Sequence, residues 1–346
     1  MRTLTLAEAD RIRAERHGAV LLYLTDRCPV GCAHCSVSAL PRGARPVDSA
    51  LLDRLVDGLC GMDRLRLVGI SGGEPFTERR ALQEATARLA AAGKQLVIYT
   101  SGNWGRDDGT VPGWTRAVLA RASCVVLSTD AYHAARIPGA RYAAALRAAA
   151  AAGTWIAVQV LGSSAEVAEA ERLLSGALGT SWRERAEIRR TVLLPRGRAA
   201  VSAPAHRGRP GRSFGTCRLA RAPVVRFDGR LTACCNEDVV TGHGPAALHA
   251  TAREPEELRS ALGVMAGAPF LAAITAAGPG ALTDLPRYRE LGVQDHPDIC
   301  ALCWALLDRG ADRDPAVQAI GLAALGSADE LAPRRSGGLL APRRSP

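Results

Sequence analysis

From residue 18 to about residue 195 two hydrophobic periods alternate along the chain. Short, nearly unbroken apolar runs have strand length: GAVLLYLT (18–25), RLRLVGI (64–70), QLVIYTSGN (95–103), SCVVLSTD (123–130), TWIAVQVLG (154–162) and EIRRTVLLPRGRA (187–199), the last a strand with an exit loop. Between them DSALLDRLVDGLC (48–60), ERRALQEATARLAAAG (78–93), ARYAAALRAAAAAG (140–153) and SAEVAEAERLLSGAL (164–178) show helical spacing. Asp48 suits an N-cap, and Gly93 and Gly153 are stop signals. Strands apolar on both faces belong in a parallel sheet covered by helices. Six β-then-α units predict an α/β fold with a partial (β/α)6, TIM-like barrel rather than a full eight-fold one.

The pattern changes after residue 200. Residues 1–17 read as a short polar helix, 18–200 as the barrel and 201–213 as a Pro/Gly/Arg linker. PVVRFDGRLTACC (223–235) predicts a β-hairpin turning at Asp228 and Gly229. It opens a small cysteine-rich α+β domain over 214–310, followed by a helix over 311–325. LAPRRS occurs twice near the end, at 331–336 and 340–345, and a disordered tail is expected over 326–346.

Composition narrows the chemistry. The chain has 346 residues, 47% hydrophobic but 4% aromatic, so its core must be aliphatic and alanine-rich. Lys94 is the sole lysine, which excludes Schiff-base or Walker-type lysine chemistry elsewhere. The net charge of +10 permits an anionic partner. The arginines are scattered, however, and no nucleic-acid signature accompanies them. The N-terminus has no apolar signal-peptide core and no run reaches the ~20 residues of a membrane span. The expected setting is cytoplasmic, with no membrane and no nucleic-acid partner. Ten cysteines in a reducing compartment point to metal or redox chemistry.

Cys28, Cys32 and Cys35 form C-x3-C-x2-C directly after the first strand. GGEP (72–75) follows the second strand, TSGN (100–103) ends the third and STD (128–130) the fourth. All four segments fall at strand C-termini, where α/β barrels place their chemistry. Thiolates select soft metals and iron–sulfur clusters, and a structural zinc site would need a fourth ligand. Three thiolates can hold a 4Fe–4S cluster by three irons and leave the fourth open to a small molecule. Gly72 and Gly73 would let the backbone approach that molecule.

This combination resembles the radical S-adenosylmethionine (SAM) superfamily. The resemblance implies that Cys28, Cys32 and Cys35 hold the SAM-binding 4Fe–4S cluster. It implies that Gly72, Gly73, Glu74 and Pro75 meet the methionine end of SAM, with His34 near adenine. Ser101, Asn103, Ser128 and Asp130 would meet ribose or substrate, and Arg198 a carboxylate. Each also has an ordinary reading: a loop cap for His34, an N-cap for Asp130, turn residues for Ser101 and Asn103, a surface cation for Arg198.

Cys217, Cys234, Cys300 and Cys303 fit a four-cysteine site, for which zinc competes by spacing alone. Beside the first motif they resemble the twitch form of the SPASM domain, which implies one auxiliary 4Fe–4S cluster. The roughly 65 residues between Cys234 and Cys300 exceed the usual gap. Cys235, one strand position on, should face away from Cys234. It is a candidate hydrogen donor for epimerisation, or a buried apolar cysteine. Cys60 and Cys124 read as core residues.

The resemblance implies an enzyme, an oxidoreductase or epimerase. It would cleave SAM reductively to a 5′-deoxyadenosyl radical and abstract hydrogen from a C–H bond. A carbohydrate or aminocyclitol is the first substrate reading, as in antibiotic biosynthesis, and a ribosomally made peptide the second. A flavodoxin- or ferredoxin-type donor would supply the electron. A non-catalytic zinc-binding module is the alternative of a different class.

Overall fold

The computed structural model describes residues 3–42, 44–201 and 207–330, with side chains described to residue 327. Six parallel strands form the barrel wall: β1 (Ala19–Tyr23), β2 (Leu67–Ser71), β3 (Gln95–Thr100), β4 (Cys124–Ser128), β5 (Trp155–Leu161) and β6 (Ala186–Thr191). Five crossover helices join them: Ser49–Cys60, Arg79–Ala91, Gly113–Leu119, Gly139–Ala151 and Ser164–Leu178. The helix Gly113–Leu119 escapes the sequence reading because it is short and introduced by Gly and Pro. No crossover helix follows β6; the chain turns instead through residues 197–201.

Both faces of the strands are covered, which explains their unbroken apolar character. Val20, Leu22, Val68, Ile70, Ile98, Val125 and Val158 pack beneath the helices. Residues of the opposite phase, Ala19, Leu67, Val97, Cys124, Val126 and Ala157, face the barrel interior. The N-terminal helix Leu6–Ala14 fills that interior from below with Leu6, Ala9 and Ile12. It is fixed by Leu4 N–H donating to the Ser123 carbonyl at 3.1 Å and Leu6 N–H to Glu187 Oε1 at 2.9 Å. Arg13, at its end, donates to the Tyr99 hydroxyl inside the barrel. The foot of the barrel is thereby plugged and access is left to the C-terminal end of the strands.

The hairpin pairs β7 (Val224–Arg226) with β8 (Arg230–Thr232), turning at Gly229, whose φ of +84° suits glycine. Rather than forming a separate sheet, β7 pairs in parallel with β1, and β9 (His249–Thr251) adds beyond β8. One nine-stranded sheet thus runs from barrel into cysteine-rich region, in the order β9-β8-β7-β1-β2-β3-β4-β5-β6. The expected linker is ordered over residues 207–213, where Arg209 and Pro210 pair with His296 and Asp295. The C-terminal helix runs Pro315–Glu330, past the expected end at 325, and the rest of the expected tail lies outside the described residues. Among the described residues no single helix is long and apolar enough to cross a membrane.

Candidate active site

The loop after β1 is held from three directions. Within it, Cys28 N–H donates to the Leu40 carbonyl at 2.8 Å and Leu40 N–H to the Asp26 carbonyl at 3.0 Å. From the GGEP turn, Gly73 N–H donates to the Thr25 carbonyl at 2.7 Å and Glu74 N–H to the Arg27 carbonyl at 2.8 Å. From the hairpin, the fully buried Arg226 guanidinium donates to both oxygens of Asp26, the nearer at 2.7 Å. The glycines serve this contact: a Cβ on Gly72 (φ +146°) would sit 2.6 Å from the Thr25 oxygen, and one on Gly73 2.4 Å from the Arg27 oxygen. Their small size lets two backbones meet, a role beyond the approach to a bound molecule expected from the sequence.

The loop opens on a cavity of about 290 Å³ at the C-terminal ends of the strands. Its walls include Cys28, Cys32, Cys35, His34, Gly72, Gly73, Ser101, Ser128, Asp130 and Arg198. Glu74, Pro75 and Asn103 do not reach it. Glu74 is buried behind the wall, where its carboxylate accepts from Ser101 N–H at 2.8 Å, Thr100 Oγ1 at 2.8 Å, Phe76 N–H at 3.2 Å and the Ser101 hydroxyl. Burial raises its pKa against those hydrogen bonds. Glu74 therefore braces the ends of β2 and β3. Pro75 starts a short 3-10 turn, and Asn103 lies in the turn after β3, its N–H donating to Ser101 Oγ at 3.3 Å.

Asp130 has both roles weighed from the sequence. Oδ1 caps the short helix Ala131–Ala134, accepting from Tyr132 and His133 N–H at 2.9 Å each. Oδ2 lies 2.7 Å from His133 Nδ1 and 3.2 Å from His34 Nε2. Burial opposes the charge, but hydrogen bonds from His133 and His34 outweigh it and hold the carboxyl well below the usual range. His34 stacks on Tyr132 at 4.5 Å between ring centroids, and its buried Nδ1 has no hydrogen-bond partner.

Arg198 holds the cysteine loop: Nε donates to the Cys32 carbonyl at 2.9 Å and Nη1 to the Ala39 carbonyl at 2.7 Å. It is bound to backbone, and is no solvated surface cation. Tyr99, Gln159, Thr191 and His133 line the same cavity and were missed from the sequence. A signal existed: the first three are polar groups on β3, β5 and β6 in the inward phase.

The thiols fit a metal cluster better than a nucleophile. Burial first, then mutual repulsion with Cys28, Cys35 and Asp130, pushes Cys32 up to about 12, and burial raises Cys28. A nucleophilic cysteine needs the opposite shift, whereas a bound metal supplies the missing positive charge. Cys32, His34 and His133 also bring ligand atoms within 4.8 Å of one another, so a mixed sulfur–nitrogen site is the competing geometry.

Cys217, Cys234, Cys300 and Cys303 line one separate, chiefly apolar pocket with Leu219, Leu248, Leu271, Ile274, Ile299 and Trp304. The long insert contributes its walls: Leu271 and Ile274 lie on the helix Pro269–Ala276, and Cys217 N–H donates to the Ile274 carbonyl at 2.8 Å. Burial pushes Cys234 up to about 12 and Cys303 well above the ordinary thiol value, with the neighbouring thiols adding to both. Four mutually repelling thiols suit a thiolate-ligated metal. The buried Asn236 Nδ2 has no oxygen acceptor and its amide faces Cys300. Cys235 lines neither cavity. It packs beside Tyr23, Val224, Phe227 and Val240, with Sγ 3.8 Å from the Leu219 carbonyl.

Fold and sites together define a partial-barrel protein with a three-thiol site at the barrel mouth and a four-thiol site beside it; both resemble the radical SAM superfamily with a twitch- or SPASM-like domain. No protein-family model matches the chain. A Bacillus subtilis (strain 168) protein, provisionally named the peptide biosynthesis protein YydG, is 24% identical over 116 residues. That match covers 33% of this chain and 36% of YydG, so the chain spans about a third of this relative. BtrN, solved with AdoMet and 2-DOIA, aligns at 13% identity and a TM-score of 0.46, over 76% of this chain and 89% of BtrN. Streptococcus suis SuiB, solved with S-adenosylmethionine, aligns at 14% identity and a TM-score of 0.49, over 75% of this chain and 67% of SuiB.

Proposed function

We propose that this chain is a radical SAM enzyme carrying one auxiliary iron–sulfur cluster. The observation that carries the reading is the convergence of Cys28, Cys32 and Cys35 with Gly72, Gly73 and Ser101 on one cavity at the open end of a parallel barrel. A 4Fe–4S cluster with SAM would supply there the electron and the deoxyadenosyl radical that takes hydrogen from a substrate C–H bond. The chain's own part is positioning and exclusion of water. Arg198, Arg226 and the GGEP backbone hold the cysteine loop. Glu74 sets Ser101 at the cavity wall, and Asp130 orients His34 and His133. The plugged foot keeps solvent from entering along the barrel axis.

Substrate enters a cavity lined by hydroxyl, amide and carboxylate groups: Ser71, Ser128, Gln159, Thr191 and Asp130. This supports a small polyhydroxylated substrate, a carbohydrate or aminocyclitol. A peptide is the second reading, favoured by the name of YydG. The placement of Cys235 away from the cavity favours oxidation, for which Cys217, Cys234, Cys300 and Cys303 would hold a group able to accept an electron; epimerisation would need another hydrogen donor.

Anaerobic reconstitution and reduction with SAM should release 5′-deoxyadenosine. The variant with Cys28, Cys32 and Cys35 all changed to Ala should release none, and release that survives the change refutes the site. Deuterated aminocyclitols and deuterated peptides separate the substrate readings by which one transfers deuterium to deoxyadenosine. Zinc without iron would make the protein a zinc-binding module.

A further inference from the structure

Two neighbouring arginines in PRGR (195–198) point to different cysteine sites. Arg198 donates to the Cys32 and Ala39 carbonyls, and Arg198 N–H to the Cys35 carbonyl at 3.0 Å. Gly197 (φ +52°) lies so close that a Cβ would sit 2.5 Å from the Cys35 oxygen. Arg196 goes the other way. Its side chain is 8% exposed; Nη1 donates to Glu237 at 2.9 Å and Nη2 to Asp298 at 2.8 Å, with Asp238 3.5 Å from Nε. Through Asp298 it is held two residues from Cys300, and its charge lowers the Cys300 thiol's pKa against burial. Asp298 caps the helix Ile299–Asp308, which carries Cys300 and Cys303. Glu237 opens the helix Glu237–Thr241, just after Cys234 and Cys235, and also lines the barrel-mouth cavity.

We propose that Arg196 is a positioning residue for the second cysteine site and the positive charge that sets the reduction potential of an iron–sulfur cluster held there, through a strap that joins this site to the cysteine loop. The proposal rests on the auxiliary-cluster reading above. A cation beside a cluster thiolate favours the reduced, more negative form. The three carboxylates around Arg196 do not cancel this. Glu237, Asp238 and Asp298 are 24–39% exposed and more screened by water, whereas the Arg196 side chain is 8% exposed. Removing the cation leaves the same carboxylates facing the site, so reduction becomes harder. Lysine would keep the charge but lose the fork that grips two carboxylates at once.

The test uses the full chain with Cys28, Cys32 and Cys35 changed to Ala, so that only the second site holds iron. Iron and sulfide are counted, and the midpoint is read by electron paramagnetic resonance during a redox titration. Arg196→Gln should lower the ratio of reduced to oxidised cluster about tenfold at fixed poise, about 59 mV for one electron. Arg196→Lys should stay within about threefold of the parent. Equal midpoints in parent and Arg196→Gln overturn the proposal alone. No iron in the parent overturns the auxiliary-cluster reading and the proposal with it. Iron lost from Gln but kept by Lys supports the need for charge; iron lost from both overturns the electronic role.

Discussion

The two cysteine sites use the same ligand atom and differ in their walls. At the barrel mouth three thiols face a mixed cavity of about 290 Å³, lined by serines, a carboxylate and imidazoles together with Val160, Leu161 and Leu193. Beside it, four thiols face a chiefly apolar pocket closed by Leu271, Ile274 and Trp304. The first has room and polar partners for an exchangeable molecule. The second offers four thiols and mostly apolar walls. On the proposed reading, thiol number and wall polarity together would separate a site that reacts from one that holds or passes electrons.

The largest effect should come from the first site. Changing Cys28, Cys32 and Cys35 together to Ala should abolish SAM cleavage and remove about four of about eight irons per chain. Equal iron in both proteins would erase the distinction between the sites. Changing Cys217, Cys234, Cys300 and Cys303 to Ala should remove the other four irons and stop substrate turnover while deoxyadenosine release continues. Loss of both activities would show that the sites are not separable.

Glu74→Ala comes next. It leaves the Ser101 and Phe76 N–H groups without their acceptor, and each unsatisfied buried group costs about 1–3 kcal/mol. A fall in urea midpoint is expected, with SAM affinity falling because Ser101 and the glycine turn shift. Unchanged stability would show that these hydrogen bonds do not brace β2 and β3. Arg198→Ala should weaken iron retention at the first site and leave the second loaded, since its bonds go only to the cysteine loop backbone.

The smallest effect is at the hairpin joining the two regions. Burial raises the Asp228 carboxyl, but Arg230 and Arg226 outweigh it and hold its pKa below the ordinary value. A depressed carboxyl contributes stability above its unfolded value of ~3.9 and loses it as pH falls through the lower folded value. Asp228→Asn should therefore destabilise the fold at neutral pH, and the difference should shrink as the pH falls from ~3.9 through the lower folded value. A difference that persists in acid would mean the side chain acts by packing alone.

Much of this was legible in the sequence. The strand runs at 18–25, 64–70, 95–103, 123–130 and 154–162 each coincide with an observed strand to within a residue or contain it, because burial on both faces leaves an apolar signature. The four second-site cysteines meet despite the long insert between them. Other features were not legible. Glu74 reads as a ligand residue and Arg198 as a carboxylate partner, yet both spend hydrogen bonds on neighbouring chain. Composition cannot say which way an arginine points, and Arg196 and Arg198 differ in direction alone.

The sequence by itself determined the cysteine spacing and the strand ends at which the motifs sit, because these depend on local period and residue chemistry. Only the tertiary structure decided that β7 pairs with β1 in one continuous sheet, that the N-terminal helix plugs the barrel foot, and that one short strap grips both cysteine sites. Those are contacts between distant segments, and hydrogen-bond direction and burial between such segments leave no periodic trace along a single chain.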